Sequence, residues 1–214
     1  TGTDDDSVDV TFAAPNPATT FDKEGMTQVV AGQEIRWTLR GANTGNTAIA
    51  NMTLTDTLPS GAINFRLVAF QYTYNIADVV YEAFVGGSWQ TLGTNLPQVV
   101  PVGATQVRVR KTIPIQPGDG LLLGIAATAT GAVGSTITNC GAFSADGQPD
   151  GTDCTDTTVT EPNTTIAVSK LTSLADPSAT AVKPGDEFDW VLLAAPSSGV
   201  PLTSFDFVDL LPPQ

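Results

Sequence analysis

Apolar and polar residues alternate along most of this chain, in runs too short for helices. Val8, Val10 and Phe12 share one parity in VDVTFAA (8–14), Ile35, Trp37 and Leu39 in QEIRWTLRGAN (33–43), and Met52 and Leu54 in ANMTLTDT (50–57). INFRLVAFQYTY (63–74), VVYEAFV (79–85), SWQTL (88–92), TQVRVRKTI (105–113), GLLLGIAATATG (120–131), TITNCGAFSA (136–145) and DCTDTTVT (153–160) follow. Period-two runs bounded by Gly, Pro and Asn mark half-buried strands. About ten of them within residues 1–160 predict an all-β fold, an antiparallel immunoglobulin-like β-sandwich. No stretch carries the periodicity of a long amphipathic helix.

A polar, proline-containing segment at 161–165 reads as a linker, and a second strand-rich segment occupies 166–214. That segment repeats the first without a gap. Val29 and Val182, Gly32 and Gly185, Glu34 and Glu187, Trp37 and Trp190, Leu39 and Leu192, Asp56 and Asp209, and Pro59 and Pro212 are each 153 positions apart. A repeat of this length predicts two copies of one domain. The second copy, at 49 residues, is incomplete and too small to bury a core alone. Phe188, Trp190, Phe205 and Phe207 give it an apolar face that calls for more strands. Another copy could supply them by β-augmentation, which would make a filament, or the chain could simply be cut within the domain.

The stretch VAGQEIRWTLRGANTGNTAIANMTLTDTLPSG resembles the repeat domain labelled DUF11, in its Gly, alternating strand, N-T-G turn and D-T-L-P-x-G closure. GSTITNCGAFSA resembles that family's closing strand. The resemblance covers most of 8–160 and, more loosely, 166–212, where N-T-G has become PSS. It implies a non-enzymatic extracellular β-sandwich module of a bacterial or archaeal surface protein, such as a stalk, adhesin segment or cell-wall component. The partners it implies are other copies, neighbouring surface-protein domains, or a cell-wall or host glycan. It also implies a comparison with related pilin domains that carry a Lys–Asn isopeptide bond promoted by a buried acid.

Composition narrows the chemistry. The net charge is −13, with a pI of about 4.1. Such a surface argues against nucleic acid, whose affinity comes from Lys and Arg on phosphates. There is no histidine, which removes the usual general base, His-based zinc sites and Ser-His-Asp triads, so an enzyme is not expected. No run of about 18 apolar residues exists to insert in a membrane as a helix. The start TGTDDD, without an initiator Met or signal peptide, reads as a processed or excised piece. Cys140 and Cys154 are equidistant from Gly147 of an Asp-Gly turn, so a hairpin there would set them opposite each other. A disulfide closing a loop of that size stabilises by about 3 kcal/mol and implies an oxidising, extracytoplasmic compartment.

The carboxylates raise the sharper questions. Parity with Met52 and Leu54 turns Asp56 inward, and parity with Phe205 and Phe207 does the same for Asp209. An inward carboxylate must be bonded or neutralised. It is either a turn cap for the following TLP or a buried acid that activates an Asn for attack by lysine. Asn139 shares the parity of Ile137 and Phe143. Lys170 shares that of Ile166 and Val168, whereas Phe12 stands at the matching place in the first copy. The expectation is therefore no isopeptide bond within 1–160, with Lys170 and Asp209 as the candidate pair in a longer chain. Asp146, Asp150 and Asp153 crowd the cysteine hairpin and are calcium candidates, though without EF-hand spacing, and a solvated acidic loop is the plainer reading. Arg108, Arg110 and Lys111 read as an outward basic strip. Trp37 and Trp190 read as core, Trp89 as a hairpin-tip residue for glycan contact, and Asn51 and Asn163 as glycosylation sequons.

Overall fold

The computed structural model describes residues 11, 13–69, 78–162, 166–174, 184–185, 187–196, 204 and 206–210. It divides into two compact units, Thr1–Thr160 and Glu161–Gln214. Most of the expected strand at 8–14 lies outside the described residues, as do Asp4 to Asp6, Asn163 and Phe205.

The first unit is a two-layer β-sandwich. In chain order its strands are β1 (Thr19–Gly25), β2 (Gln28–Val30), β3 (Glu34–Asn43), β4 (Thr53–Thr57), β5 (Ala62–Leu67), β6 (Val79–Val85) and β7 (Ser88–Gly93). β8 (Gln98–Val99), β9 (Ala104–Lys111), β10 (Gly120–Ala129), β11 (Thr136–Ser144) and β12 (Gly151–Thr160) complete it. One sheet has five strands in the order β1-β3-β10-β5-β8, and the other seven in the order β2-β12-β11-β4-β9-β6-β7. Strict alternation in β3 sends Ile35, Trp37 and Leu39 to the core and Arg36, Thr38 and Arg40 outward, the pleat dictating the faces. Leu123 and Ile125 of β10 join them, and Leu54, Val107, Val109, Ile137 and Phe143 of the second sheet close the other side of one hydrophobic cluster.

Among the described residues of this unit every strand pairing is antiparallel except β2 with β12, which run parallel. The exception has a simple origin. β1 lies beside β3 in the first sheet, and the chain then continues past Met26 and Thr27 into the second sheet as β2. Gly25 sits where the chain leaves the first sheet. A Cβ there would stand 2.6 Å from Thr155 Oγ1 and 2.7 Å from Trp37 Cδ1, so only glycine lets the strand pass this close. Neither β1 nor β2 shows in the hydrophobic pattern, because Thr19–Gly25 reads TTFDKEG with a lysine at its most buried position.

In the second unit β13 (Ile166–Leu174) and β14 (Phe188–Pro196) form an antiparallel pair. Trp190, Leu193 and Phe207 of this unit are exposed.

Candidate functional site

Three polar side chains meet inside the sandwich. Lys23 comes from β1 in the five-stranded sheet, and Asp56 and Asn139 come from β4 and β11, adjacent strands of the seven-stranded sheet. Lys23 is 4% exposed, and Asp56 and Asn139 are fully buried. The backbone sets this up. Asp56 faces Gly141 across the β4–β11 ladder, and Asn139, two residues along β11, is on the same face as Gly141. A Cβ on Gly141 would stand 2.5 Å from Leu39 Cδ2 and 3.5 Å from Lys23 Cδ. The missing side chain therefore leaves the room in which Leu39 and the lysine stem pack as Lys23 crosses between the sheets. The Lys23 backbone N–H donates to Asp153 Oδ2 at 2.9 Å, which ties β1 to β12.

Lys23 Nζ donates to Asp56 Oδ2 in a buried ion pair. Beyond that bond, three atoms have no hydrogen-bond partner: Asp56 Oδ1, Asn139 Oδ1 and Asn139 Nδ2. Burial pushes the Lys23 pKa down, against the pull of Asp56. Burial likewise raises the Asp56 carboxyl to about 6, against the opposing influence of Lys23 and, more weakly, of the neighbouring Asn139. Both shifts have one cause: desolvation works against the charged form of each partner, while their mutual attraction opposes it. A lysine, a carboxyl group and a carboxamide are thus gathered out of contact with solvent between the two sheets.

Lys23 was absent from the sequence candidates, and the structure corrects the alignment that hid it. Lys23 pairs with Leu39 across β1–β3, and Lys170 pairs with Leu192 across β13–β14. Leu39 and Leu192 are repeat counterparts, so Lys170 corresponds to Lys23 and not to Phe12. Each lysine bonds the repeat's own aspartate: Lys170 Nζ lies 2.5 Å from Asp209 Oδ1, with side chains 34% and 23% exposed. The Lys170 ammonium also lies 4.3 Å from the Trp190 ring centroid. The turn-cap reading of Asp56 gives way, since Oδ2 binds a lysine and Oδ1 binds nothing.

The remaining candidates fall elsewhere. Cys140 and Cys154 face each other across β11–β12 and are joined by a disulfide. Asp146 Oδ2 accepts from Asn51 Nδ2 at 2.8 Å, and the two Asp153 oxygens accept from the backbone N–H groups of Lys23 and Cys154. Among the described residues no group of three or more His, Cys, Asp or Glu could hold a metal ion, so Asp146, Asp150 and Asp153 are not brought together as a calcium ligand set. Trp89 is half-buried against Phe84, and the Arg108 guanidinium covers one face of its ring at 4.0 Å, a face thereby closed to a sugar.

The basic strip is also more structured than an outward row of charges. Glu82 Oε2 accepts from Arg108 Nε at 2.7 Å and Arg110 Nε at 3.0 Å, and Lys111 Nζ lies 2.6 Å from Asp119. Desolvation would raise the Glu82 pKa, but the two arginines together outweigh it and hold the carboxyl below its usual value. A depressed carboxylate adds stability above its unfolded pKa, and that stability is lost as pH falls through the folded value. Glu82→Gln should therefore flatten the acid limb of the stability curve below about pH 4.5. Urea midpoints measured from pH 3 to pH 7 check this; an unchanged acid limb would contradict it.

No family model matches the sequence, and no curated protein matches it, so the DUF11 resemblance rests on its quoted motifs alone. Several solved structures align with this chain at low identity, with TM-scores below 0.5. The CARDB domain of a Pyrococcus furiosus protein, in complex with di-metal ions, aligns at 9% identity and a TM-score of 0.35, over 68% of this chain and 94% of its own. A collagen-binding domain from a Staphylococcus aureus adhesin aligns at 11% identity and 0.38, over 64% and 96%. A variant of BcpA, the major pilin subunit of Bacillus cereus, aligns at 11% identity and 0.41, over 84% and 56%.

Proposed function

We propose that this chain is a non-enzymatic structural or adhesive segment of an extracellular surface protein or fibre. The observation that carries this reading is repetition at the level of single contacts. The Lys23, Leu39 and Asp56 arrangement recurs as Lys170, Leu192 and Asp209. The chain thus builds the same corner twice in tandem, as a stalk of like modules would. The Cys140–Cys154 disulfide supports an oxidising compartment, and the low-lysine acidic composition suits a soluble extracellular surface. Antibodies against residues 1–160 should label intact, unpermeabilised source cells or the fibres they release. Labelling that appears only after lysis would overturn the reading.

A second reading concerns assembly. Phe188 and Trp190, on one face of a sheet of two strands, lie exposed, as does Phe207, an apolar surface that further strands would cover. Strands donated by another copy would give a filament. Light scattering coupled to size exclusion should then show mass rising with concentration, and a monomer at every loading would argue against strand exchange.

A further inference from the structure

We propose that residues 8–12 of one copy of this chain dock in an apolar groove on the first unit of another, so that copies join head to tail. The proposal deepens the fibre reading, on which it rests, by naming the contact. The groove, about 660 Å³, opens beside β5 and β8, the last two strands of the five-stranded sheet. Leu58, Phe65 and Val100 form its less exposed lining, and Ile63, Val99 and Val102 its rim, at 50%, 79% and 102% exposure. Those three are half of the six large apolar residues exposed among the described residues of this unit, and the others, Met26, Ile113 and Val133, do not line it. Such a concentration of exposed apolar side chains marks an interaction surface.

The backbone is bent to build this rim. Asn64 and Phe65 occupy the place opposite the single residue Ala127 of β10, a bulge, and Asn64 takes a left-handed φ of 56°. Across the bulge, Ile63 pairs with Thr128 and Arg66 with Ala126, two residues apart on β10 and so on one face. Val99 pairs with Arg66. Ile63, Arg66 and Val99 therefore stand together on the outer face of the sheet. Arg66 is the one charged residue among those lining the groove. It shares Glu34 with Arg36, two guanidinium groups on one carboxylate, so this rim is positive in a chain whose net charge is −13.

The occupant follows from charge and reach. Residues 4–12 read DDDSVDVTF, an acidic run followed by Val8, Val10 and Phe12 on one parity. That pattern complements the groove, with apolar side chains for its lining and carboxylates for its arginines. The segment cannot enter the groove of its own copy. The Ala14 carbonyl accepts from Asn46 Nδ2 at 2.9 Å, just past the end of β3, whereas Arg66 bonds Glu34 at the start of that strand. The ten residues of β3 set those ends about 30 Å apart. The six residues from Ala14 back to Val8 span at most about 20 Å, and Val10 and Phe12 are held closer still. The contact is therefore made between copies. Segment and groove are different surfaces at opposite ends of β3, so the contact propagates along a row of copies.

The test titrates a labelled synthetic peptide of residues 3–13, TDDDSVDVTFA, into the chain lacking residues 1–12, read by fluorescence polarisation. The peptide should bind, and Val99→Asp in that chain should weaken binding by about tenfold or more, the effect of losing one valine-sized apolar contact. Val99 is exposed, so the variant keeps its fold, which circular dichroism confirms. A peptide carrying Val10→Ser and Phe12→Ser should not bind. Light scattering coupled to size exclusion should show the mass of the whole chain rising with concentration, and the chain lacking residues 1–12 staying monomeric. A peptide that does not bind, or that binds the Val99→Asp variant equally well, overturns the proposal. So does association that survives the deletion, which would point to the strands of the second unit instead. Each of these failures leaves the surface location standing, since antibody labelling tests that separately.

Discussion

Asp56→Ala is expected to cost the first unit about 3–5 kcal/mol for leaving Lys23 buried without its counter-ion. That is a large share of the stability of an ordinary domain, about 5–15 kcal/mol, so the variant should unfold at much lower urea. Lys23→Met should be milder near pH 5 than at pH 7. Its orphaned group is a carboxyl already pushed to about 6 with the lysine still present, and it can become neutral by taking a proton. A raised carboxyl pKa contributes stability below the unfolded value near 3.8 and loses it as pH rises through the folded value. Adding Asp56→Leu to Lys23→Met should recover stability at pH 7, since replacing a buried ion pair with apolar groups is often neutral or better. Urea denaturation of the four proteins at both pH values measures this. A double variant no more stable than Asp56→Ala would show that the pair is not the origin of the loss.

Trp37→Ala should destabilise by about 3–5 kcal/mol, the usual cost of emptying a large aromatic site in a packed core. The ring is 1% exposed and packs where the chain leaves β1 at Gly25. Trp37→Phe should cost much less than the alanine change. The indole Nε1 is buried with no acceptor, so phenylalanine removes an unsatisfied donor along with part of the ring. Denaturation midpoints of both variants decide it. A phenylalanine variant as unstable as the alanine one would mean that the indole shape, and not its apolar bulk, holds the corner.

The miss at Lys23 shows where reading a strand from its pattern fails. Alternation is recognisable when the inward residues are apolar, as in β3. β1 places Phe21 and Lys23 on the parity that packs inward, and a lysine there looks like a break in the pattern. The apolar rhythm of Val8, Val10 and Phe12 therefore reads as the first strand in its place. The repeat offset did not reveal it either: Leu39 and Leu192 are 153 positions apart, but their cross-strand partners Lys23 and Lys170 are 147 apart (170 − 23). A register cannot be assigned to a strand that has not been found.

The sequence by itself determined the all-β class, the edges of most central strands, the repeat between Val29 and Val182, and the inward sense of Asp56 and Asn139. It also determined the pairing of Cys140 with Cys154. Each of these depends on local periodicity, turn chemistry or a fixed offset, and short-range geometry carries such signals. Only the tertiary structure decided that β1 and β2 exist, that they pass from one sheet to the other at Gly25, and that Lys23 ends beside Asp56. That meeting joins residues 33 positions apart from two different sheets. Its cause is packing, a strand with a buried charge held in place by the neighbours that neutralise it, and no window along the chain contains both.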